Sequence, residues 1–249
     1  MAEIQSLARG LQILEYLANA PDGLGITELS LEMDVDKGTA SRLAQTLAQY
    51  GYVEKDPETR RYQLGPQVVN LSRIVITRMP LRETARPYLK RLVAETGECA
   101  HLAVLSRGMA LYIDQVESPA TLRVNAEVGH LAPLYCTALG KALLTFSGCE
   151  FPDKLDARTA RTITDSEMLK LHLEQVRRQG YAVDDEEYDM GVRCVAAPVF
   201  DFREKMVGAI GISGPAARVT PEKLTELSRI VVGISQEISD RLRFRVPAQ

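Results

Sequence analysis

Residues 37–49 carry side chains of the types that read DNA bases. If this stretch is a helix with Ala40, Leu43 and Leu47 facing inward, its outer face holds arginine, glutamine, serine and threonine. Arginine pairs well with guanine, glutamine with adenine, and serine or threonine with phosphates or base edges. A polar residue near the start of the chain is placed to touch a phosphate, and those at a predicted hairpin tip are placed to reach the flanking backbone or the minor groove. The predicted DNA contacts are Arg9, Thr27, Lys37, Thr39, Ser41, Arg42, Gln45, Thr46, Arg60 and Arg61.

Nucleophilic, metal and cofactor chemistry have weaker support. The four cysteines are widely spread and form no CxxC pair, so they indicate neither a zinc ribbon nor a disulfide framework. His101, Asp184 and Cys194 are residue types that bind zinc, but their spacing is unspecific, and we interpret His101 as a histidine with its hydrogen bonds satisfied. Gly140-Lys141 lacks the other residues of a phosphate-binding loop. We therefore expect no catalysis, no metal and no cofactor.

Composition and charge are those of an ordinary globular protein. Of 249 residues, 45% are hydrophobic and 25% are charged, and the net charge is −3. Residues 1–65 contain six basic and ten acidic residues, so a DNA-binding surface there must gather its few cations on one face. No apolar run reaches the roughly 18 residues of a membrane span, and the start of the chain lacks the apolar core of a signal peptide. We expect a cytoplasmic protein without a membrane partner.

The elements that must position the DNA contacts follow the order of a winged helix-turn-helix. Amphipathic periodicity predicts three helices, over residues 4–17, 26–33 and 37–50. Alternating residues predict two strands, over 52–54 and 61–64, with a turn at Asp56-Pro57 between them. Residues 1–65 are therefore predicted to form a winged helix-turn-helix domain. Gly65-Pro66 and Pro80 bound an apolar helical stretch, which predicts a linker helix over 66–80.

Residues 81–249 have a mixed pattern that predicts an α+β domain, an antiparallel sheet flanked by helices. Its first helix contains Pro87, which must kink or restart it. Residues 122–124 are predicted to be a short strand. Thr164-x-x-Glu167 is a capping-box pattern and predicts a helix start at Thr164.

Six stretches of the chain, three in each half, carry a family resemblance. In the first half they are SLARGLQILEYLA, ITELSLEMDVDKGTASRLAQTLAQYGYVEKD and RRYQLGPQVVNLS. In the second half they are PLYCTALGKALL, QGYAVDDEEYDMGVRCVAAPVFD and IGISGPAAR. Together they cover nearly the whole chain, which resembles the IclR family of bacterial transcription regulators. The resemblance implies a winged DNA-binding domain, a linker helix that dimerises, and a GAF-like effector-binding domain. It also implies operator binding as a dimer or dimer of dimers, mostly in repression and sometimes in activation.

The resemblance further implies a ligand cavity beside the helix that begins at TALGKA. The effector-binding residues implied in this chain are Tyr135, Ala138, Leu139, Asp184, Cys194 and Ser213. Some members that bind small oxoacids have a second serine where this chain has Gly211, so one hydroxyl donor for a carboxylate is lost. Two alternatives stay open: Asp184 caps the turn before Gly191, and Cys194 is an inert buried residue.

The sequence thus predicts a ligand-responsive transcription regulator, a repressor rather than an activator, that controls a catabolic operon. We expect it to bind a pseudo-palindromic operator as a homodimer or homotetramer and to sense a small organic metabolite, a carboxylate or an aromatic acid. The alternatives are a winged-helix dimerisation or scaffold module without effector sensing, and an enzyme.

Overall fold

The computed structural model describes residues 4–243 in two compact units, of which one ends at Arg78 and the other begins at Met79. The extreme residues of the predicted terminal domains, 1–3 and 244–249, lie outside the described residues. The helices are Gln5–Ala18 (α1), Ile26–Glu32 (α2), Lys37–Gln49 (α3), Pro66–Thr77 (α4), Pro80–Thr96 (α5), Ala138–Phe146 (α6), Ser166–Gln179 (α7) and Pro221–Arg243 (α8). The strands are Val53–Lys55 (β1), Tyr62–Leu64 (β2), Cys99–Ser106 (β3), Met109–Val116 (β4), Leu131–Pro133 (β5), Ala182–Asp185 (β6), Val192–Phe200 (β7) and Met206–Pro215 (β8).

The first unit is a winged helix-turn-helix, which confirms the predicted fold. One face of each of α1, α2 and α3 closes a small core, in which Ile13, Leu29 and Ala40 are fully buried. β1 and β2 pair antiparallel, with Val53 opposite Leu64, and form the wing. The predicted inward face of α3 is correct, because Ala40 is buried and Leu43 and Leu47 pack against this core. On α1 the prediction is only partly correct, since Leu17 is buried but Leu7 and Leu11 of the same apolar stripe are exposed.

Helix α4 follows the wing and leaves large apolar side chains in water. Val69 and Val75, which lie nearly two turns apart, are both exposed, as is Leu71. α4 ends at Thr77, and α5 begins at Pro80. The dimerising role expected for this segment remains a prediction.

The second unit is built on a six-stranded antiparallel sheet with the order β5-β4-β3-β8-β7-β6. α5 and α8 cover one face, where Leu89, Ile210 and Ile234 are buried. α6 and α7 cover the other face, where the sheet contributes small residues such as Ala103 and Ala196. The predicted α+β domain, a sheet flanked by helices, is confirmed.

The N-terminus of α6 is fixed against the end of β5. The Thr137 hydroxyl accepts a hydrogen bond from the Gly140 N–H at 3.0 Å and donates one to the Pro133 carbonyl at 2.8 Å. A Cβ at Gly140 would lie 2.5 Å from the Pro133 carbonyl oxygen and 2.5 Å from the Thr137 hydroxyl oxygen. Glycine therefore permits a close backbone approach that a larger residue would prevent.

Two local predictions in the second unit are wrong. Residues 122–124 form no strand, and the chain joins the sheet later, at the edge strand β5. Pro133 can end this strand because an edge position does not need its missing N–H. α7 begins after Asp165 rather than Thr164, since the Asp165 carboxylate accepts the Met168 N–H at 2.8 Å. α5 is one helix from Pro80 to Thr96, so Pro87 lies inside it and does not restart it.

Candidate DNA-binding and effector-binding sites

Asp36 fixes the start of α3. Its carboxylate accepts hydrogen bonds from the Thr39 N–H at 2.9 Å and from the Thr39 hydroxyl at 2.7 Å. These bonds hold the pKa of the Asp36 carboxyl below its ordinary value. The N-cap satisfies an N–H group that would otherwise lack a partner, so the first turn of α3 keeps a defined direction.

The predicted contacts on α3 share its solvent-facing side. Lys37, Arg42, Gln45 and Thr46 are exposed, and Thr39 and Ser41 are half-buried. Side-chain hydrogen bonds link neighbours on this face: Arg42 Nη2 lies 3.3 Å from Thr39 Oγ1, and Gln45 Nε2 lies 3.2 Å from Ser41 Oγ. The face presents an arginine and a glutamine one turn apart. Of the two predicted contacts on other helices, Thr27 on α2 is exposed and Arg9 on α1 is half-buried.

The two wing arginines have different surroundings. Arg60 is exposed at a positive φ of 60°, and its side chain has no hydrogen bond or ion pair within residues 4–243. Arg61 donates to the carbonyls of Asp22 at 3.0 Å and Gly23 at 2.8 Å and pairs with Glu28 at 2.9 Å. The Gly25 N–H and Arg61 hold the pKa of the Glu28 carboxyl below its ordinary value. Arg61 thus joins the wing to the loop before α2.

Three predicted effector contacts lie in one row across the second sheet. Asp184 on β6 is directly opposite Cys194 on β7, and Cys194 is directly opposite Ser213 on β8. The row continues to Cys99 on β3. Directly opposed residues point to the same face, so the antiparallel register brings together side chains that are far apart in sequence.

Asp184 is buried, and its two carboxylate oxygens differ in their hydrogen bonds. Oδ1 accepts the N–H groups of Glu187 at 2.7 Å and Tyr188 at 3.3 Å, so the turn-capping interpretation is correct for this oxygen. No group within residues 4–243 donates to Oδ2. Burial raises the pKa of the Asp184 carboxyl to about 7. The site therefore offers an acceptor whose charge changes near neutral pH.

Three acidic residues next to Asp184, at the end of β6 and in the turn after it, are paired with cations. Asp185 and Glu186 accept from Arg193, at 2.6 Å and 3.3 Å. Glu187 accepts from the buried Lys141 of α6. The turn that carries Asp184 is therefore held by ion pairs, and the charge of Lys141 is neutralised inside the domain.

The residues predicted at the start of α6 are buried beside this row. Ala138 and Leu139 are 2% and 4% exposed. They belong, with Cys136, to the hydrophobic cluster between α6 and the sheet. Tyr135 donates from its hydroxyl to the Asp156 carbonyl at 2.8 Å. The apolar walls that ligand sites usually have are thus present at this end of the helix.

Cys194 is half-buried, while Cys136 is fully buried. Burial raises the pKa of the Cys194 thiol well above its ordinary value and that of Cys136 to about 12. Both side chains are therefore neutral thiols rather than nucleophiles at physiological pH. Among residues 4–243, no three histidine, cysteine or acidic side chains are grouped to hold a metal ion.

Sequence reasoning missed Tyr112 on β4, which lies on the same face. Its side chain is 8% exposed, and its ring meets the rings of His101 and His130 edge-on, with centroid distances of 5.6 Å to each. Its hydroxyl has no hydrogen bond within the described part of the chain. Strand alternation in the sequence gives a tyrosine at this position but carries no sign of the unpaired hydroxyl.

The interpretation of His101 as a satisfied histidine is wrong. The side chain is fully buried, and neither Nδ1 nor Nε2 has a hydrogen-bond partner among residues 4–243. Burial lowers the pKa of His101 to about 4, so the ring is neutral. Strand alternation predicts the inward direction of this residue but cannot show whether a donor or acceptor will face it.

Family models match both units of the chain. The IclR helix-turn-helix domain matches residues 6–57, and the bacterial transcriptional regulator IclR C-terminal domain matches residues 73–240. Of the helices within residues 4–243, none is long and apolar enough to cross a membrane.

Characterised relatives and solved structures agree with these matches. The transcriptional repressor IclR of Escherichia coli is 33% identical over 245 residues, which cover 95% of this chain and 89% of that one. The glycerol operon regulatory protein of Streptomyces coelicolor is 35% identical over 223 residues, covering 88% of each chain. The crystal structure of the Thermotoga maritima IclR protein is 29% identical, with a TM-score of 0.72, and covers 97% of this chain and 100% of that one.

Proposed function

This chain belongs to the IclR family of bacterial transcription regulators, and from that premise we propose that it is an effector-responsive repressor of a catabolic operon. Family members are DNA-binding regulators and not enzymes. We propose further that the chain acts as a homodimer or homotetramer in the cytoplasm, where it meets both its operator and its metabolite. Residues 1–65, 66–80 and 81–249 are the proposed DNA-binding domain, linker and effector-binding domain.

The exposed face of α3 is the observation that carries the DNA-binding proposal. Arg42 and Gln45 stand on it with hydroxyl neighbours, and the second helix of a helix-turn-helix enters the major groove. Arginine reads guanine and glutamine reads adenine, so this face supports direct base recognition. Arg60, at the tip of the wing, supplies a phosphate contact.

A two-fold dimer is supported by apolar side chains that the first unit leaves in water. Leu7 and Leu11 lie one turn apart on α1 and are both exposed, as are Val69 and Val75 on α4. Exposed apolar side chains one helical turn apart, such as Leu7 and Leu11, form a stripe that another chain can cover. A two-fold dimer reads two half-sites, so the operator is a pseudo-palindrome with centres about one or two helical turns apart.

Effector sensing is supported by the row of Asp184, Cys194 and Ser213 beside the start of α6. We propose that a small organic molecule, a carboxylate or an aromatic acid, binds there between Leu139 and the sheet. The first N–H groups of a helix favour negative charge, and Ser213 adds a neutral donor. The apolar residues Ala138, Leu139 and Cys194, with Tyr135 beside them, form the walls.

A gel shift with the DNA upstream of the chain's own operon tests the function. We expect nanomolar protein to retain this DNA in the presence of excess non-specific DNA and to protect a footprint with two-fold symmetry. A metabolite of the neighbouring operon should release the protein from the DNA. An asymmetric footprint would contradict dimeric recognition. Binding no tighter than to unrelated DNA would favour the scaffold module instead.

A further inference from the structure

We propose that Tyr112 is a further effector contact, whose hydroxyl donates a hydrogen bond to an acceptor oxygen of a small hydroxylated organic acid. The inference rests on the proposed function, because it assumes that an effector binds between α6 and the sheet. It adds a phenolic donor to the row of Asp184, Cys194 and Ser213.

The register places Tyr112 on the face of the sheet that carries this row. Tyr112 is opposite Ala103 on β3, and Ala103 is opposite Ala209 on β8. All three belong to the hydrophobic cluster that also contains Ala138 and Leu139 of α6. Burial raises the pKa of the Tyr112 hydroxyl, and Cys194 and Asp184 would raise it further if they were ionised. The hydroxyl therefore stays protonated, as a donor must.

The Tyr112 hydroxyl has no hydrogen-bond partner within residues 4–243, in a side chain that is 8% exposed. Its oxygen is not one of the fully enclosed side-chain atoms that lack a partner, so it keeps some accessible surface. Tyrosine is usually buried where its hydroxyl can reach a hydrogen-bond partner. A ligand oxygen is the partner that the predicted site supplies.

Two histidines hold the Tyr112 ring in place. His101 and His130 each meet it edge-on at a centroid distance of 5.6 Å and an interplanar angle of 68°. His130 is in turn 3.4 Å from the Tyr188 hydroxyl through Nε2. The ring is thus oriented by packing rather than by its own hydroxyl, which remains available and loses little freedom when a ligand binds.

The chemistry of the surrounding groups defines the ligand class. Asp184 Oδ2 is a free acceptor, and it favours a ligand hydroxyl. Tyr112, Ser213 and the first N–H groups of α6 are donors, which favour a carboxylate. The buried cation of α6, Lys141, is already paired with Glu187. A site with several donors and one acceptor fits a small molecule that carries both a carboxylate and a hydroxyl group.

The experiment compares matched pairs of acids on the full-length protein. The probes are lactate against propionate and 4-hydroxybenzoate against benzoate, measured by calorimetric titration and by the thermal unfolding midpoint. In at least one pair the hydroxylated acid is expected to bind the wild type at least tenfold more tightly than its partner. If neither pair shows this preference, the ligand class and the proposal are overturned.

Tyr112→Phe then tests the residue itself. It keeps the ring contacts and removes only the hydroxyl, so we expect five- to tenfold weaker binding of the hydroxylated acid and an unchanged unfolding midpoint without it. Tyr181→Phe, which alters a tyrosine packed on the opposite face of the sheet, is the matched control. A lower midpoint without ligand together with wild-type affinity would show a structural role and overturn the proposal.

Leu139→Trp and Ser213→Ala separate this inference from the proposed function. If they weaken binding while Tyr112→Phe does not, the effector site stands and the inference is wrong. If a properly folded Ser213→Ala and Leu139→Trp both bind like the wild type, the proposed effector site itself is wrong.

Discussion

Lys141 and Glu187 form an ion pair that is almost wholly removed from solvent, with side-chain exposures of 0% and 6%. The Lys141 ammonium also lies 3.2 Å from His172 Nε2, and burial together with this ammonium lowers the pKa of His172 to about 4. Glu187 donates its own N–H to Asp184, so the pair connects α6 to the turn that holds the predicted effector contact. The second carboxylate oxygen of Glu187 has no hydrogen-bond partner in the described part of the chain.

Loss of one partner of this pair should destabilise the second unit strongly. Lys141→Met leaves the Glu187 carboxylate buried and unpaired, and breaking a buried pair in this way costs about 3–5 kcal/mol. The double variant Lys141→Met/Glu187→Gln removes both charges and should recover most of the loss. Urea unfolding of the full-length proteins gives the two values. Equal losses of unfolding free energy in the single and double variants would show that the charge pairing does not determine the stability of the second unit.

Asp184 should make the protein less stable as pH rises. Its pKa in the folded state is about 7, above the ordinary 3.8, so the folded state holds a proton that the unfolded state has lost. The contribution of this proton to the free energy of unfolding declines as pH rises from about 4 through about 7. Between pH 5 and pH 8 the decline is roughly 2–3 kcal/mol. Asp184→Asn keeps the acceptor for the Glu187 N–H and should lack this decline; parallel pH curves for both proteins would contradict the burial argument.

His101 should cause acid sensitivity of the opposite sign. Its pKa is lowered to about 4 from 6.5, so the unfolded state gains a proton first, and stability falls as pH drops from about 6.5 through about 4. His101→Phe keeps a ring beside Tyr112 and removes two unpaired nitrogens. We expect its free energy of unfolding to be at least that of the wild type at pH 7. At pH 5 we expect its advantage over the wild type to be about 2 kcal/mol larger than at pH 7. A variant that loses stability equally at both pH values would indicate that a polar ring is needed here.

Arg42 should read one base. Arg42→Ala is expected to cost about 1–3 kcal/mol of operator affinity and to relax specificity at a single guanine. Affinity measured for a set of operators with single base changes checks this expectation. A uniform loss at every operator position would instead assign Arg42 to the phosphate backbone.

The two wing arginines should separate into a DNA contact and a structural residue. Arg60→Ala should weaken binding to all sequences and lower the slope of log affinity against log salt by about 1, with an unchanged unfolding midpoint. Arg61→Ala should lower the midpoint, because Arg61 bonds the carbonyls before α2 and Glu28. Salt titrations and thermal unfolding of both variants are the measurements. Identical behaviour of the two would contradict the distinction.

Elements with strong periodicity could be predicted from the sequence, and elements set by distant partners could not. The periodicity predicts α3 over 37–50, and the helix spans Lys37–Gln49, because its apolar positions face one local core. Residues 122–124 alternate like a strand, yet a strand needs a paired neighbour, and the sheet edge is occupied by β5. The local sequence pattern cannot show whether residues 122–124 or β5 will pair with the edge of the sheet.

In the candidate effector site, too, some residues could be predicted from the sequence and others could not. The family resemblance named Asp184, Cys194 and Ser213, and the register brings these three into one row, although their binding role stays a prediction. Tyr112 and His101 were missed or misread because hydrogen-bond satisfaction depends on neighbours from other strands. A buried tyrosine with a partner and one without have the same sequence pattern.

Gly140 limits the routes by which new effector specificity can evolve or be engineered. A methyl group there would lie 2.5 Å from the Pro133 carbonyl oxygen, so any replacement must displace the start of α6. Diversity in a biosensor library is better placed at Ala138, Leu139 and Tyr112, whose side chains line the proposed cavity without setting the position of the backbone. Selection for a new metabolite should recover changes at those three positions and return glycine at 140.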